Sequence, residues 1–394
     1  MVSHPYVAAL AAVLSSAAPG VASAGPLDMA GFDVTAGARL AVSYDDGPLV
    51  GRRGQFLGAV ASSEEQRDFA VVPRLDLSLG RRLGWGNSVT AEARIERPVY
   101  RTIEDLTALD ATLRLTVDEH LGELKLSPGL GLRFHGELPE WSYRIVEPAL
   151  AASYTFDFGL MAAVSYRFTA QRFARTAGGN AQPRNSYANI DFQGHVAELD
   201  LRLWPLQGLR LRLVTDVHST WYGNNTSTTL ADYVDLSPGS PRMDRGGGAT
   251  VEVLVAPFAA LLVSAGARRE IAGSNSDAFR FDALHGLGTA FLTLGGRHSL
   301  YAAVDYGRYD FPDARFDRRY DNTRQDFRRE VRLAYTFELS ETARAQVSFR
   351  RDDAVSNDCA DFDPERDANG LPVYSKSYSC YGRTRAEAFF EVEI

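Results

Sequence analysis

The sequence is poor in the features that usually identify soluble enzymes and helical membrane proteins. Its 394 residues include only two cysteines and two lysines, and no apolar run is long and unbroken enough for a membrane-spanning helix. So few cysteines exclude a disulfide-dense scaffold. A formal net charge of −8 excludes nucleic acid as an expected partner. No Pro/Gly/Ser-rich linker divides the chain after residue 30, so we expect one continuous domain.

The nearest approach to a spanning helix is the stretch 249–267, whose single charge is Glu252. Pro257 lies near its centre, and a period of two is kept by Val251, Val253 and Val255 before it and by Leu261 and Val263 after it. Because proline belongs at a turn and not in a hydrogen-bonded ladder, the stretch predicts two strands joined by a turn at Pro257–Phe258.

What the sequence has in abundance is the alternation of apolar and polar residues. In 209–218, for example, Leu209, Leu211 and Leu213 alternate with Arg210 and Arg212. A strand points successive side chains to opposite faces, so each such segment has one apolar face. The pattern predicts sixteen strands, at residues 31–44, 68–80, 88–100, 105–118, 121–135, 141–156, 160–172, 187–204, 208–221, 247–257, 259–270, 278–294, 298–311, 326–338, 342–352 and 379–394.

The connections between these segments alternate between long and short after the first strand. Short turns are predicted at 81–87, 118–120, 157–159, 205–207, 257–258, 295–297 and 340–342. Longer loops are predicted near 45–67, 101–104, 136–140, 173–186, 222–246, 271–277, 309–325 and 353–378. Tight turns at one rim and larger loops at the other are typical of bacterial outer-membrane barrels.

These patterns together predict the fold class. No helices lie between the strands to cover the apolar faces, so lipid is the expected solvent for them. We therefore predict an all-β protein, a transmembrane antiparallel up-and-down barrel of about sixteen strands, with fourteen or eighteen as alternatives. The competing interpretation is a soluble two-sheet sandwich, in which the apolar faces would pack against each other.

The amino terminus has the pattern of an export signal. Residues 7–14 form an apolar run, and Ala22-Ser23-Ala24 is the small-x-small triplet that signal peptidase cuts. We expect residues 1–24 to be a signal peptide and residues 25–394 to form the barrel. The segment before the apolar run contains His4 but no Lys or Arg, which departs from the usual pattern. The prediction is an integral protein of the Gram-negative outer membrane, surrounded by outer-membrane lipids.

The four tryptophans provide an independent check on the barrel prediction. Trp85 and Trp204 lie at predicted turns, and Trp141 and Trp221 lie beside predicted loops. Amphipathic rings prefer the two membrane interfaces, so all four lie where an aromatic girdle is expected.

The last strand resembles the carboxy-terminal signal that the outer-membrane assembly machinery recognises. It places Ala386, Ala388, Phe390, Val392 and Ile394 on one face, although that signal usually ends in phenylalanine. With the signal peptide and the hairpins, the chain resembles Gram-negative outer-membrane β-barrels over residues 25–394. The resemblance implies the assembly machinery as a partner. It also allows an oligomer, because porins of this size are often trimers.

A finer resemblance lies in the last hairpin. Residues 328–335 read RREVRLAY, residues 347–351 read VSFRR before Ser356-Asn357, and residues 381–383 read YGR. This is similar to β-barrel porins linked to exopolysaccharide export. It also looks like the barrel of surface lipoprotein assembly modifiers, whose amino-terminal helical repeats have no counterpart in this sequence. The resemblance implies an export or assembly component as an alternative function, with an exported polymer as its cargo.

Charged residues on the polar faces are the candidates for a functional site. A lipid-facing arginine at mid-bilayer costs about 2–4 kcal/mol, so these side chains are expected to face the lumen. They indicate a hydrated path that attracts anions, and the alternative is a lumen plugged by cross-linking ion pairs. The predicted lumen-lining residues are Arg94, Arg114, Arg133, Arg202, Arg210, Arg212, Arg332, Arg344, Arg350, Arg383, Arg385, Glu92, Glu96, Glu198, Glu252 and Glu330.

Two smaller features suggest other chemistry. Asp216 and His218 share a face, an arrangement in which a carboxylate orients a general base, but Ser219 should point to the opposite face. Cys359 and Cys380 flank one loop, and an exported protein passes through an oxidising compartment. The pair predicts a disulfide, with two free thiols as the alternative.

The loop between the cysteines is acidic. Asp361, Asp363, Glu365 and Asp367 alternate before a glycine, which resembles a calcium-binding loop, although Pro364 departs from that pattern. A solvated acidic loop is the alternative. Calcium is therefore the one cofactor that the sequence suggests.

The predicted function is a porin-like channel for small polar or anionic solutes, without enzymatic activity. The first alternative is an export or assembly component, either an exopolysaccharide secretion outlet or a surface-lipoprotein translocator. A minor alternative is a surface hydrolase centred on Asp216 and His218.

Overall fold

In the part of the chain that the structure describes, the strands follow one another almost without other structure. The computed structural model describes residues 27–29, 31–46, 68–101, 107–136, 142–173, 191–222, 242–275, 280–315, 323–356 and 381–393. The strands are β1 (Leu27–Met29), β2 (Phe32–Asp45), β3 (Asp68–Gly84), β4 (Asn87–Glu96), β5 (Val99–Tyr100), β6 (Leu109–Leu121), β7 (Leu124–Gly136), β8 (Tyr143–Thr155), β9 (Leu160–Phe173), β10 (Phe192–Leu206), β11 (Leu209–Tyr222), β12 (Met243–Phe258), β13 (Leu261–Ser274), β14 (Phe281–Leu294), β15 (His298–Arg315), β16 (Thr323–Glu338), β17 (Ala343–Ser356) and β18 (Tyr381–Glu393).

The sheet closes on itself. Each long strand is antiparallel to the next, and β18 pairs with β2 from Arg385↔Asp45 to Glu393↔Gly37. The short β1 pairs only with the start of β2, and β5 continues β4 along β3. Pro98 separates β4 from β5 because proline has no N–H to donate to the ladder. The fold is a closed antiparallel barrel of sixteen strands, which confirms the predicted fold class and strand number.

The two faces of the wall differ in chemistry. On β3, Leu75 and Leu77 are exposed on the outer face, and Leu113 on β6 and Leu213 on β11 share that face. Intervening residues such as Asp76 point inward and pair with charged neighbours. The apolar side chains therefore form the surface that a bilayer would cover.

The interior of the wall contains little apolar packing. Among the described residues, the buried apolar side chains are Ala41, Ala70, Ala108, Ile145, Val214, Ala272, Ala283, Phe311, Ala354 and Phe389, which are mostly alanines. A sandwich would need large apolar residues buried between two sheets, so that competing interpretation is wrong. No helix in the described ranges is long and apolar enough to cross a membrane.

The tight turns all lie at one rim, here called the inner rim because short turns are periplasmic in such barrels. Two prolines predicted at turns lie elsewhere. Pro205 and Pro257 are inside β10 and β12, where the register shifts between Leu203 and Leu206 and between Val255 and Phe258. A bulge leaves a position without a ladder hydrogen bond, so it accommodates proline. The predicted turns at 205–207 and 257–258 are therefore displaced to 207–208 and 259–260.

The turn between β3 and β4 is shorter than the predicted 81–87. The strands continue to Gly84 and from Asn87, which leaves Trp85 and Gly86 with φ of 54° and 80°. Two positive φ values define the hairpin turn whose twist matches that of the strands. Trp85 is fully exposed at the inner rim, with Trp204 near the same rim and Trp221 near the opposite one. Trp141 lies outside the described residues.

Candidate functional site: the inner face of the barrel

The inner face is the face opposite the exposed leucines and valines. Cross-strand register places every predicted lumen-lining residue on it: Arg94, Arg114, Arg133, Arg202, Arg210, Arg212, Arg332, Arg344, Arg350, Arg383, Arg385, Glu92, Glu96, Glu198, Glu252 and Glu330. These residues are of two kinds. Some form clusters with carboxylates, and the others have no ionic partner among the described residues.

The first cluster surrounds Asp200 on β10. Arg202 and Arg212 lie directly opposite each other on β10 and β11, and each donates to Asp200 Oδ2, at 2.7 Å and 2.8 Å. Arg212 also lies 3.7 Å from Glu252 on β12. Like charges directly opposite one another destabilise a sheet, so the nearly buried Asp200 is what allows these two guanidinium groups to be neighbours.

The second cluster is a ladder of three arginines near the carboxy terminus. Arg332, Arg350 and Arg385 lie side by side on β16, β17 and β18. Arg350 donates to Glu330 and to Asp352, both at 2.8 Å, and Arg385 donates to Asp352 at 2.9 Å. Arg332 pairs with Glu330 as well. Glu330 and Asp352, each two residues from an arginine on its own strand, therefore lie between the three positive charges.

A third set of pairs joins the two ends of the chain. Arg383 on β18 donates through Nε to Asp45 on β2 at 2.9 Å, and Arg39 on β2 pairs with Glu387 on β18. The Arg39 guanidinium also lies 3.8 Å above the ring of Phe389. These contacts cross the seam where the barrel closes, so they contribute to closure beyond the backbone ladder.

Sequence reasoning missed several inner-face residues. Arg39, Arg74 and Asp76 share the face, and Asp76 accepts from Arg74 and Arg94 at 2.6 Å and 2.8 Å. The alternation within β2 and β3 would have placed these three residues on the inner face. Their ionic partners, however, depend on which residues of the neighbouring strands lie opposite them. Arg167 on β9 was also missed, although it alternates with Val164, Tyr166 and Phe168 in the same way.

Besides Arg82 near the inner end of β3, four inner-face arginines have no ionic partner among the described residues. Arg114, Arg133 and Arg167 are exposed on β6, β7 and β9, and Arg210 on β11 has a buried Nε atom without a hydrogen-bond partner. Arg133 lies three residues from the outer end of β7, and Arg210 lies one residue from the inner end of β11. Arg114 and Arg167 lie near the middle of their strands. We call this group the unpaired arginines. Of the predicted inner-face acids, Glu92, Glu96 and Glu198 also have no ionic partner in the described ranges.

No protein-family model matches this sequence, and a comparison with curated protein sequences found no match. Solved structures are similar. OmpT of Vibrio cholerae matches with a TM-score of 0.50 at 9% identity, over 94% of this chain and 100% of that one. The channel DcaP of Acinetobacter baumannii matches at 0.48, with 10% identity over 94% and 100%. An anion-selective porin from Comamonas acidovorans matches at 0.45, with 11% identity over 92% and 99%.

At such low identity, the likeness concerns the fold. The protein is an integral outer-membrane β-barrel with a porin-like fold. This is the fold of integral barrels in the Gram-negative outer membrane, where an apolar outer face contacts lipid, and the fold therefore agrees with the predicted localisation.

In this porin-like barrel, Asp216 and His218 both face inward on β11. His218 Nδ1 lies 3.6 Å from Asp216 Oδ2, beyond hydrogen-bond distance, while Arg268 donates to Asp216 at 3.0 Å. Arg268 comes from β13 and crosses Gly248 on β12, where a Cβ atom would lie 2.9 Å from its Nη2. Ser219 lies on the outer face. Asp216 and His218 therefore cannot serve as orienting acid and general base for Ser219 as a nucleophile.

The remaining predicted sites fall outside the described residues. Cys359 and Cys380, and the acidic residues Asp361, Asp363, Glu365 and Asp367, are all in the segment 357–380. The signal peptide at 1–24 is also outside. In the ranges that the structure describes, no group of three or more His, Cys, Asp or Glu residues is arranged to hold a metal ion.

Proposed function

We propose that this barrel is a water-filled channel for small polar and anionic solutes. The unpaired arginines are the observation that carries the proposal. They place positive charge that forms no ion pair within the described ranges from the outer part of β7 to the inner end of β11, although Arg114 lies opposite Glu92 in the register. A passing anion would meet fixed cations at each level of that wall.

The arrangement of the ion pairs supports an open lumen. Arg212–Asp200, Arg350–Glu330 and Arg344–Glu391 each join neighbouring strands, and Arg268–Asp216 spans only the glycine-bearing strand between them. Other inner-face pairs, such as Arg74–Asp76 and Arg350–Asp352, join residues of one strand, so these pairs between described residues all lie along the wall. A plugged lumen would instead need pairs that cross from one side of the barrel to the other.

Solute uptake by liposomes tests the proposal. The full-length barrel is reconstituted, and swelling is followed in neutral, anionic and cationic sugar derivatives of equal size. We expect neutral and anionic solutes to enter, with the anionic one faster than the cationic one. No uptake of any solute would overturn the proposal and favour the plugged or export alternatives, and faster cation uptake would overturn its anionic part.

A matched pair of variants on one strand tests the role of the unpaired arginines. Arg167 faces the lumen and Arg172 faces outward, where it pairs with Asp191. A unit charge ~7 Å from an ion changes its free energy by about 0.6 kcal/mol in water, roughly RT. Because the charge favours the anion and opposes the cation by that amount, we expect Arg167→Gln to lower the anion-over-cation permeability ratio by up to about sevenfold, measured from the reversal potential in a salt gradient. Arg172→Gln should leave the ratio unchanged, and equal effects would contradict the assignment.

A further inference from the structure

The lipid-facing surface has charged residues where only apolar ones are expected. Arg269, Arg308, Arg329 and Arg351 lie on β13, β15, β16 and β17, and their side chains are 44–64% exposed. Register places Arg269 and Arg308 in one row with the exposed Leu284, and Arg329 beside the exposed Tyr306. These four residues, which we call the outer arginine belt, are therefore on the outer face.

The belt lies at one level of the membrane. Arg269, Arg308, Arg329 and Arg351 are eight, ten, nine and eight residues from the inner ends of their strands. A tilted strand crosses the hydrocarbon region in ~9–11 residues. The guanidinium groups are thus at the outer boundary of the hydrocarbon, at the level of the outer-leaflet headgroups, where an arginine costs only ~0–1 kcal/mol.

Aspartates orient three of these arginines in the same way. Arg269 donates from Nε and Nη2 to Asp282, at 3.2 Å and 2.7 Å. Arg308 donates from the same two atoms to Asp310, at 3.2 Å and 2.9 Å.

Arg329 repeats the arrangement with Asp353, at 3.2 Å and 2.5 Å. In each case the Nη1 amino group has no protein partner in the described part of the chain. Three guanidinium groups held by aspartates therefore each leave the same Nη1 edge available to a ligand.

We propose that the outer arginine belt binds the phosphate groups of lipopolysaccharide, the phosphorylated glycolipid of the outer leaflet. Guanidinium groups recognise phosphate through short, charge-assisted hydrogen bonds, and the Nη1 edges supply these donors. The four arginines exceed their three aspartate partners by one positive charge, so the belt attracts an anion even with its ion pairs intact. Placement at headgroup level, with apolar strands below, fits a ligand with a phosphate head and acyl chains.

Lipid retention by the purified barrel tests this proposal. Barrels are extracted from outer membranes, and bound lipid A is quantified through its hydroxylated fatty acids. The variant with Arg269→Gln, Arg308→Gln and Arg329→Gln should retain about tenfold less lipid A than the wild type, because three charge-assisted contacts are lost. The matched control changes Arg94, Arg332 and Arg344 to Gln, which are 52–53% exposed on the inner face and should leave retention unchanged. Equal retention by wild type and belt variant would overturn the proposal.

A second measurement does not depend on the belt variant folding. Wild-type barrel in detergent is titrated with lipid A and with dephosphorylated lipid A, and we expect the dephosphorylated form to bind about tenfold more weakly. Equal binding of the two lipids would overturn the proposal. A change in oligomeric state of the belt variant with unchanged lipid A content would also overturn it, since the belt would then be a contact between copies.

Discussion

Replacing Leu77 with arginine is expected to destabilise the barrel by about 2–4 kcal/mol, because the charge would enter the middle of the hydrocarbon region. Leu77 is 42% exposed on the outer face of β3, near the middle of that strand. Placing arginine at Ser78, the next residue, should change stability by less than about 1 kcal/mol. Ser78 points inward and lies directly opposite Glu92, an acid without an ionic partner in the described ranges.

The two variants place the same arginine at adjacent positions on opposite faces of β3, so their comparison tests the assignment of the faces. Denaturant-induced unfolding from lipid vesicles measures both free energies of unfolding. Similar losses of unfolding free energy at the two positions would mean that β3 has no lipid-facing side. A larger loss for the Ser78 variant would mean that the inner and outer faces of β3 are assigned the wrong way round.

Replacing Asp200 with asparagine is expected to cost about 2–3 kcal/mol of stability. Removing one partner of a fully buried ion pair costs about 3–5 kcal/mol, and the arginines here are about one-third exposed, which reduces the penalty. The change leaves Arg202 directly opposite Arg212 without the carboxylate that holds both. Asp200→Glu should restore part of the loss because the charge is retained.

The control for the Asp200 substitution is a substitution of Glu198 on the same strand. Glu198 faces inward two residues away and has no ion pair among the described residues. Glu198→Gln should therefore change the unfolding free energy by less than about 0.5 kcal/mol. If both substitutions cost the same, the cluster around Asp200 does not stabilise the wall in the way its geometry indicates.

Much of the fold could be predicted from the sequence because a closed barrel depends on a period of two. Leu211 and Leu213 alternate with Arg210 and Arg212 whatever the neighbouring strands do, so the pattern alone separates the faces. The positions of the turns were predicted less well. Pro205 and Pro257 resemble turn residues in sequence, but bulges within β10 and β12 accommodate them, and only the paired strand makes a bulge visible.

The partners of the charged residues could not be predicted for the same reason. Register decides that Arg212 meets Asp200 and that Arg332, Arg350 and Arg385 lie in one row. Register depends on turn geometry and on the stagger of the whole barrel, which no single segment specifies. The sequence therefore predicted a polar inner face but not which of its arginines are neutralised.

Lipid-facing charge was missed for a different reason. The cost of lipid-facing arginine at mid-bilayer led us to expect charged residues in the lumen, but that cost falls near the interfaces. Arg269 and Arg308 are on the apolar period of their strands, eight and ten residues from the inner rim. Counting residues from the predicted tight turns would have shown that both lie at the outer headgroup level.

Single-channel recording of the purified full-length protein in a planar bilayer tests the central claim most directly. The account predicts stepwise openings and a reversal potential that favours anions. It also predicts that this preference falls when Arg114, Arg133 and Arg167 are changed together to glutamine. A barrel that folds and inserts but conducts no current would contradict the account, as would a cation preference that the triple substitution leaves unchanged.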